Sequence, residues 1–186
     1  MVSRDAKKKD NIVPFQEFFA NPAIQSILHT VNLVLERLDP DFAKALIQLK
    51  REGTKRQASL LAQNPCHMIG LAIHWNQDGE VHEDSKGLNS GQDFVIPVGK
   101  HQGCRFEFEQ VNAYVDFNVT DMGMLRGGAM KHCAKGWKGL GRMVLVPFVE
   151  KQLFHHKGVP RPWQFRRFYE EHFAELRQMF PATPLH

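Results

Sequence analysis

The feature that most constrains this chain is a change of hydrophobic period part-way along it. Up to Gly53 the apolar residues recur every three or four positions; from about residue 67 to Val149 they fall in short runs or strict alternation. A helix shows its apolar stripe at a spacing near 3.6 and a half-buried strand at a spacing of 2. Helices therefore come first and strands afterwards. That order predicts an α+β fold, with a β core and helices packed outside it.

The helical half carries its own punctuation. Asn21-Pro22 reads as an N-cap followed by proline at the first helical position, and Ile24, Ile27, Leu28, Val31, Val34, Leu35 and Leu38 continue at helical spacing. Asp39-Pro40 repeats the signal ahead of Phe42, Leu46 and Leu49, up to Gly53. The flanking helices are placed at 21–53. In the second half, Met68 to Trp75, Phe94 to Val98, Arg105 to Glu109, Ala113 to Phe117, Met122 to Leu125 and Gly141 to Val149 read as strands separated by Gly, Asn and Asp. The β core is placed at about 66–149. A last helical stripe, Phe165 to Phe180, predicts a docked helix over 162–180. Residues 1–20, with Lys7, Lys8 and Lys9, are expected to form a basic tail, and 21–186 one domain. A chain of 186 residues suits that count.

Composition narrows the class. Hydrophobic residues at 42% and charged residues at 24% exclude collagen, a coiled-coil rod and full-length disorder. A net charge of +4 permits a polyanionic partner without requiring one. The three cysteines, Cys66, Cys104 and Cys133, form no CxxC pair, which argues for free thiols in a reducing compartment. No apolar segment follows the charged N-terminus as a secretory signal requires, and Met143 to Val149 is too short to span a bilayer. An intracellular protein, nuclear or cytoplasmic and with no membrane partner, is expected. The oligomeric state is left open.

Several motifs fail on spacing. Gly136, Gly139 and Gly141 lack the Gly-Lys-Ser/Thr of a phosphate loop, and no GxSxG elbow, HExxH pair or EF-hand loop is present. Cys66-His67 and His132-Cys133 lack the spacing of a structural zinc site. Arg126-Gly127-Gly128 reads as a turn.

His82-Glu83-Asp84 is different because of where it sits. It follows a strand and a turn, in a segment that can be extended. Residues i and i+2 of a strand point to one face, so the imidazole and the carboxylate can reach one metal together. His132, just before the last long strand, can supply a third ligand. Two histidines and one carboxylate with open positions make the facial triad of non-haem Fe(II) oxygenases. Arg142 is a lone cation entering an apolar run. Burying it unpaired is costly, so it needs an anionic partner, and a guanidinium can clamp a carboxylate in bidentate fashion. Glu107 or Glu109 could serve, as could the carboxylate of a co-substrate.

The stretch from Cys66 to Val149 resembles the Fe(II)/2-oxoglutarate-dependent dioxygenases, and Asn76 to Asp84 and Met122 to Phe148 are similar to the Tet/J-binding-protein-like branch and its fungal relatives. The residues that carry the likeness are the His82-x-Asp84 pair, Asp121 to Gly128, and His132 followed by Trp137, Gly139, Gly141 and Arg142. The resemblance implies a double-stranded β-helix (jelly-roll) core, Fe(II) on His82, Asp84 and His132, and 2-oxoglutarate on Arg142. It implies O2 as co-substrate and hydroxylation of a C–H bond, on a methylated base in DNA or RNA. Asn76, Ser85 and Arg126 are candidate substrate contacts, and Ser85 to Gln92 a candidate lid. Lys50, Arg51, Lys55, Arg56, Arg161, Arg166 and Arg167 are candidate phosphate contacts. The family often has Ser or Thr two residues after the arginine; here that residue is Val144. A non-catalytic β-barrel binding module, or an oxygenase of peptides or small molecules, are the competing readings.

Overall fold

The computed structural model describes residues 9–54, 64–88 and 90–160. The C-terminal helix expected at 162–180 lies outside them, as do Lys55, Arg56, Arg161, Arg166 and Arg167. The described residues divide into two compact units, 9–54 with 64–70 and 151–160, and 71–88 with 90–150.

The first unit is helical. Helix α1 (Lys9–Ala20) forms inside the segment expected as a tail. Helix α2 (Pro22–Leu38) starts where its cap predicts: the Asn21 side chain accepts from the N–H groups of Ala23 and Ile24. Its buried stripe is Ile24, Leu28, Val31 and Leu35. Asp39 ends α2 and starts α3 (Pro40–Thr54) at once. Its N–H donates to Leu35 C=O at 2.8 Å, and its carboxylate accepts from Phe42 N–H at 3.2 Å. Helix α3 buries Phe42, Leu46 and Leu49 completely, each worth about 1.5–3 kcal/mol. A short helix that the period did not announce, α4 (Lys151–Lys157), buries Phe154.

Polar side chains tie residues 64–68 to these helices. Asn32 donates to Pro65 C=O at 2.9 Å and accepts from His67 N–H at 2.8 Å. Lys50 donates its ammonium to the carbonyls of Asn64 and Cys66. A lysine expected to meet phosphate is thus spent on the protein's own backbone, and burial pulls its pKa below the usual lysine range.

The second unit is built of antiparallel strands: β1 (Gly70–Trp75), β2 (Asp93–Gln102), β3 (Arg105–Phe108), β4 (Ala113–Asp116), β5 (Gly123–Leu125), β6 (His132–Lys135) and β7 (Lys138–Phe148). They form a four-stranded sheet in the order β1-β7-β2-β5 and a three-stranded sheet in the order β4-β3-β6. Val95, Cys104, Phe106, Phe117, Leu125 and Val144 pack together as this unit's core. The sequence pattern found β1 to β5 in outline but not β6, where the buried His132 and Cys133 are adjacent and no alternation shows. It also started β7 three residues late, so Arg142 lies within the strand rather than opening it.

The late start has a cause. Lys100 pairs with Gly141 and His101 with Gly139, so Leu140 is an extra residue in β7, a bulge that faces solvent at 89% exposure. Gly139 has φ 146°, and a Cβ there would lie 2.2 Å from the Lys100 carbonyl oxygen. Only glycine fits. An exposed leucine between two glycines breaks the alternation that sequence reading depends on.

Candidate metal centre

The two histidines are joined through their backbones. Each of His82 and His132 donates its N–H to the other's carbonyl, at 3.0 and 2.9 Å, in an antiparallel bridge. The rings come to lie 4.5 Å apart, centroid to centroid. Each Nδ1 then meets a carbonyl two residues back, His82 on Glu80 at 2.7 Å and His132 on Met130 at 2.8 Å. A carbonyl can only accept, so both protons sit on Nδ1 and both Nε2 lone pairs are left for the site. Metal-binding histidines are oriented by such partners. The buried His132 ring also stacks on Phe106, at 5.5 Å and 20°.

Asp84 completes the group. Its Oδ1 is 3.7 Å from His82 Nε2 and its Oδ2 is 3.8 Å from His132 Nε2. One ligand atom from each of the three residues lies within 4.8 Å of the others. That spacing is one from which His82, Asp84 and His132 would hold a single divalent ion. Burial holds the His132 pKa below the usual imidazole value, against the upward pull of the Met130 carbonyl and Asp84; the neighbouring His82 adds to the lowering. Its neutral form is the one that can ligate. The donor set, two imidazoles and a carboxylate on a half-open face, fits a metal such as Fe(II).

These groups face a cavity of about 350 Å³. Val95, Phe106, Leu125, Val144 and Val146 give it an apolar wall, and Arg142 lies in the same lining. Arg142 is 3% exposed, and among the described residues no carboxylate lies within ion-pairing distance of it. Glu107 pairs with Lys135 and Glu109 with Lys131, so neither acid offered as a structural partner is engaged with it. One guanidinium N–H of Arg142 donates to Gln77 C=O at 3.0 Å, and its Nε has no hydrogen-bond partner among the described residues. The guanidinium also lies in hydrogen-bond reach of the Cys104 thiol, and its chemistry suits a carboxylate.

The remaining sequence candidates fall elsewhere. Asn76, at φ 49°, accepts from the Arg142 backbone N–H at 2.7 Å and so pins the end of β1 to β7. Ser85 is exposed in the turn after Asp84, and Arg126 lies beside Gln92. None of the three lines the cavity.

Sequence reading passed over Asp93, which lines the cavity, and His101, which senses the Arg142 charge without lining the cavity. Asp93, 4% exposed, opens β2 and lines the cavity; burial pushes its pKa up to about 8, and the Asp84 carboxylate adds to the rise. His101 has both ring nitrogens buried without a partner among the described residues, and burial lowers its pKa, with the Arg142 charge as the second cause. The signal for Asp93 was available: like Arg142, it is a lone charge at the edge of an apolar run.

No protein-family model matches the chain, and no curated protein matches it. Among solved structures, "NgTET1 in complex with 5mC DNA" matches with a TM-score of 0.64 and 16% sequence identity, over 94% of this chain and 63% of that one. The fold is Tet-like. The chain spans a little under two thirds of the length of that relative, and at this identity the likeness is one of fold. No helix among the described residues is long and apolar enough to cross a membrane.

Proposed function

We propose that this chain is an Fe(II)- and 2-oxoglutarate-dependent oxygenase. The observation that carries the reading is the convergence of His82, Asp84 and His132 on a cavity that also holds a buried Arg142 with no carboxylate partner among the described residues. Iron with 2-oxoglutarate supplies O2 activation and the hydroxylation of a C–H bond. The chain's own residues do the rest. His82 and His132 present Nε2, held by the Glu80 and Met130 carbonyls, and Asp84 supplies the anionic ligand. Arg142 offers two parallel N–H donors to the far carboxylate of the co-substrate. The apolar wall around Phe106 and Val144 shields the buried His132 and Arg142 from water, which strengthens the interactions those two make. Val144 adds no hydroxyl to the anion site.

We also read the two sheets as the halves of a double-stranded β-helix. Counting the His82 bridge to His132 as a short strand beside β6 gives a second sheet of four. The orders become first-eighth-third-sixth and second-seventh-fourth-fifth, the winding of a jelly roll, with 21–186 as one domain.

For the substrate we infer a methylated base in nucleic acid. The Tet relative is a complex with 5mC DNA. In this chain Trp75 follows the cavity-lining His74 and is 61% exposed, with the protruding Leu140 beyond the adjacent Gly141, and Lys100 and Lys138 flank the bulge. An aromatic face beside cations suits an unstacked base and its phosphates.

Anaerobic Fe(II) titration with 2-oxoglutarate, followed by a succinate assay under O2, tests the oxygenase. One iron per chain is expected, lost in His82→Ala with the fold intact. Iron retained in that variant rules out the ligand set. Iron bound without succinate formed would favour a binding module. A salt-insensitive mobility of DNA and RNA probes would turn the substrate toward peptides or small molecules.

A further inference from the structure

Two glycines crowd around Asp84. A Cβ on Gly127 would lie 2.3 Å from Asp84 Oδ2 and 2.8 Å from Asp93 Oδ2. A Cβ on Gly87 would meet the Asp84 carbonyl oxygen at 3.0 Å, the Asp84 Cβ at 3.3 Å and the Gly128 Cα at 3.4 Å. The hydrogen bonds close the same circle. Asp84 N–H donates to Gly127 C=O at 2.9 Å, and Gly87 N–H donates to Asp84 C=O at 2.7 Å. The Gly127 N–H in turn donates to the buried Asp93 carboxylate, which also accepts from Val149 N–H.

Gly127 is buried, and its φ is not among the positive ones. An L-residue could take up its backbone. What forbids a side chain is the space, already filled by the Asp84 carboxylate. We propose that Gly127 is a positioning residue, the seat that aims Asp84 at His82 and His132, and that Asp93 anchors this seat from below. The Arg126-Gly127-Gly128 turn, which carries no recognition motif of its own, thereby gains a role in the metal centre. The inference rests on the metal-site reading. It adds that ligand geometry is set from the turn before β6, not only from the ligands.

The test is a double-mutant cycle on the full chain with Gly127→Ala and Asp84→Ala. In anaerobic Fe(II) titration, Gly127→Ala should weaken binding tenfold or more, close to the loss from Asp84→Ala, and the double variant should be no weaker than Asp84→Ala alone. Wild-type affinity in Gly127→Ala, or losses that multiply in the double variant, would overturn the seat. Thermal unfolding of the metal-free variants gives a readout without iron. Gly127→Ala should lower Tm less in the Asp84→Ala background than in wild type, because the closest contact is gone; equal losses overturn the proposal. Should Gly127→Ala not fold, the double variant should fold again, and its failure to do so would count against the seat. If wild type binds no iron, the metal reading falls, while the Tm comparison still decides whether Gly127 seats Asp84.

Discussion

Replacing Arg142 with methionine should make the protein more stable and less able to bind its co-substrate. Arg142 is 3% exposed, and among the described residues it has no carboxylate within ion-pairing distance and its Nε has no hydrogen-bond partner. Its bond to Gln77 C=O is charge-assisted and contributes about 1.5–3 kcal/mol, and the Cys104 sulfur adds a weak contact. Against it stands the desolvation of a buried cation, several kcal/mol even after relaxation. Methionine fills a similar volume without that penalty, so the net change favours the variant by about 1–2 kcal/mol. For a chain of this size, each kcal/mol moves Tm by about 2–4 °C. Ligand should reverse the order. At a hundred times Kd, 2-oxoglutarate with Fe(II) adds about 2.7 kcal/mol to wild type, whereas the variant, with no cation to hold the carboxylate, gains little beyond what the metal gives. Anaerobic thermal unfolding of both proteins, with Fe(II) and with or without 2-oxoglutarate, reads this out as a crossing of Tm values. A ligand-free Arg142→Met that is destabilised by more than about 1 kcal/mol would refute the reasoning, since the guanidinium would then be a satisfied structural group. An undiminished 2-oxoglutarate shift in the variant would refute the co-substrate assignment.

All three cysteines are free and buried, so thiol titration of the denatured, unreduced protein should count three. Burial pushes the Cys66 thiol up to about 11, from an ordinary value of 9.0. The folded state thus holds that proton longer than the unfolded one, and the stability this contributes below pH 9 should be lost as pH rises toward 11. Native alkylation of Cys66, followed by mass spectrometry, should stay slow until that range, and fast labelling near pH 8 would contradict it. Asn32→Ala removes two hydrogen bonds and strands the Pro65 carbonyl and the His67 N–H, so denaturant unfolding should show a loss of about 2–4 kcal/mol. A change under 0.5 kcal/mol would mean that the 64–68 segment is held by other contacts.

Much of this protein was legible in its sequence because the relevant physics is local. Asn21-Pro22 and Asp39-Pro40 start helices through hydrogen bonds that reach only two to four residues. Alternation in Arg105–Phe108 marks a strand because successive side chains face opposite ways. His82 and Asp84 face one site because they are two residues apart in an extended segment, and a lone Arg in an apolar run signals an unmet charge wherever it is buried. Tertiary structure alone decided what depends on distant parts of the chain meeting. The backbone bridge that joins His82 to His132 spans fifty positions, and nothing near either residue encodes it. Lys50 looked like a surface cation until the carbonyls of Asn64 and Cys66 folded over it. Leu140 broke the apolar pattern of β7 because the bulge that expels it is fixed by its pairing with β2. The Asp93 carboxylate and the Gly127 seat acquire meaning only from close packing against Asp84, since a glycine's missing side chain matters only once something else occupies its place.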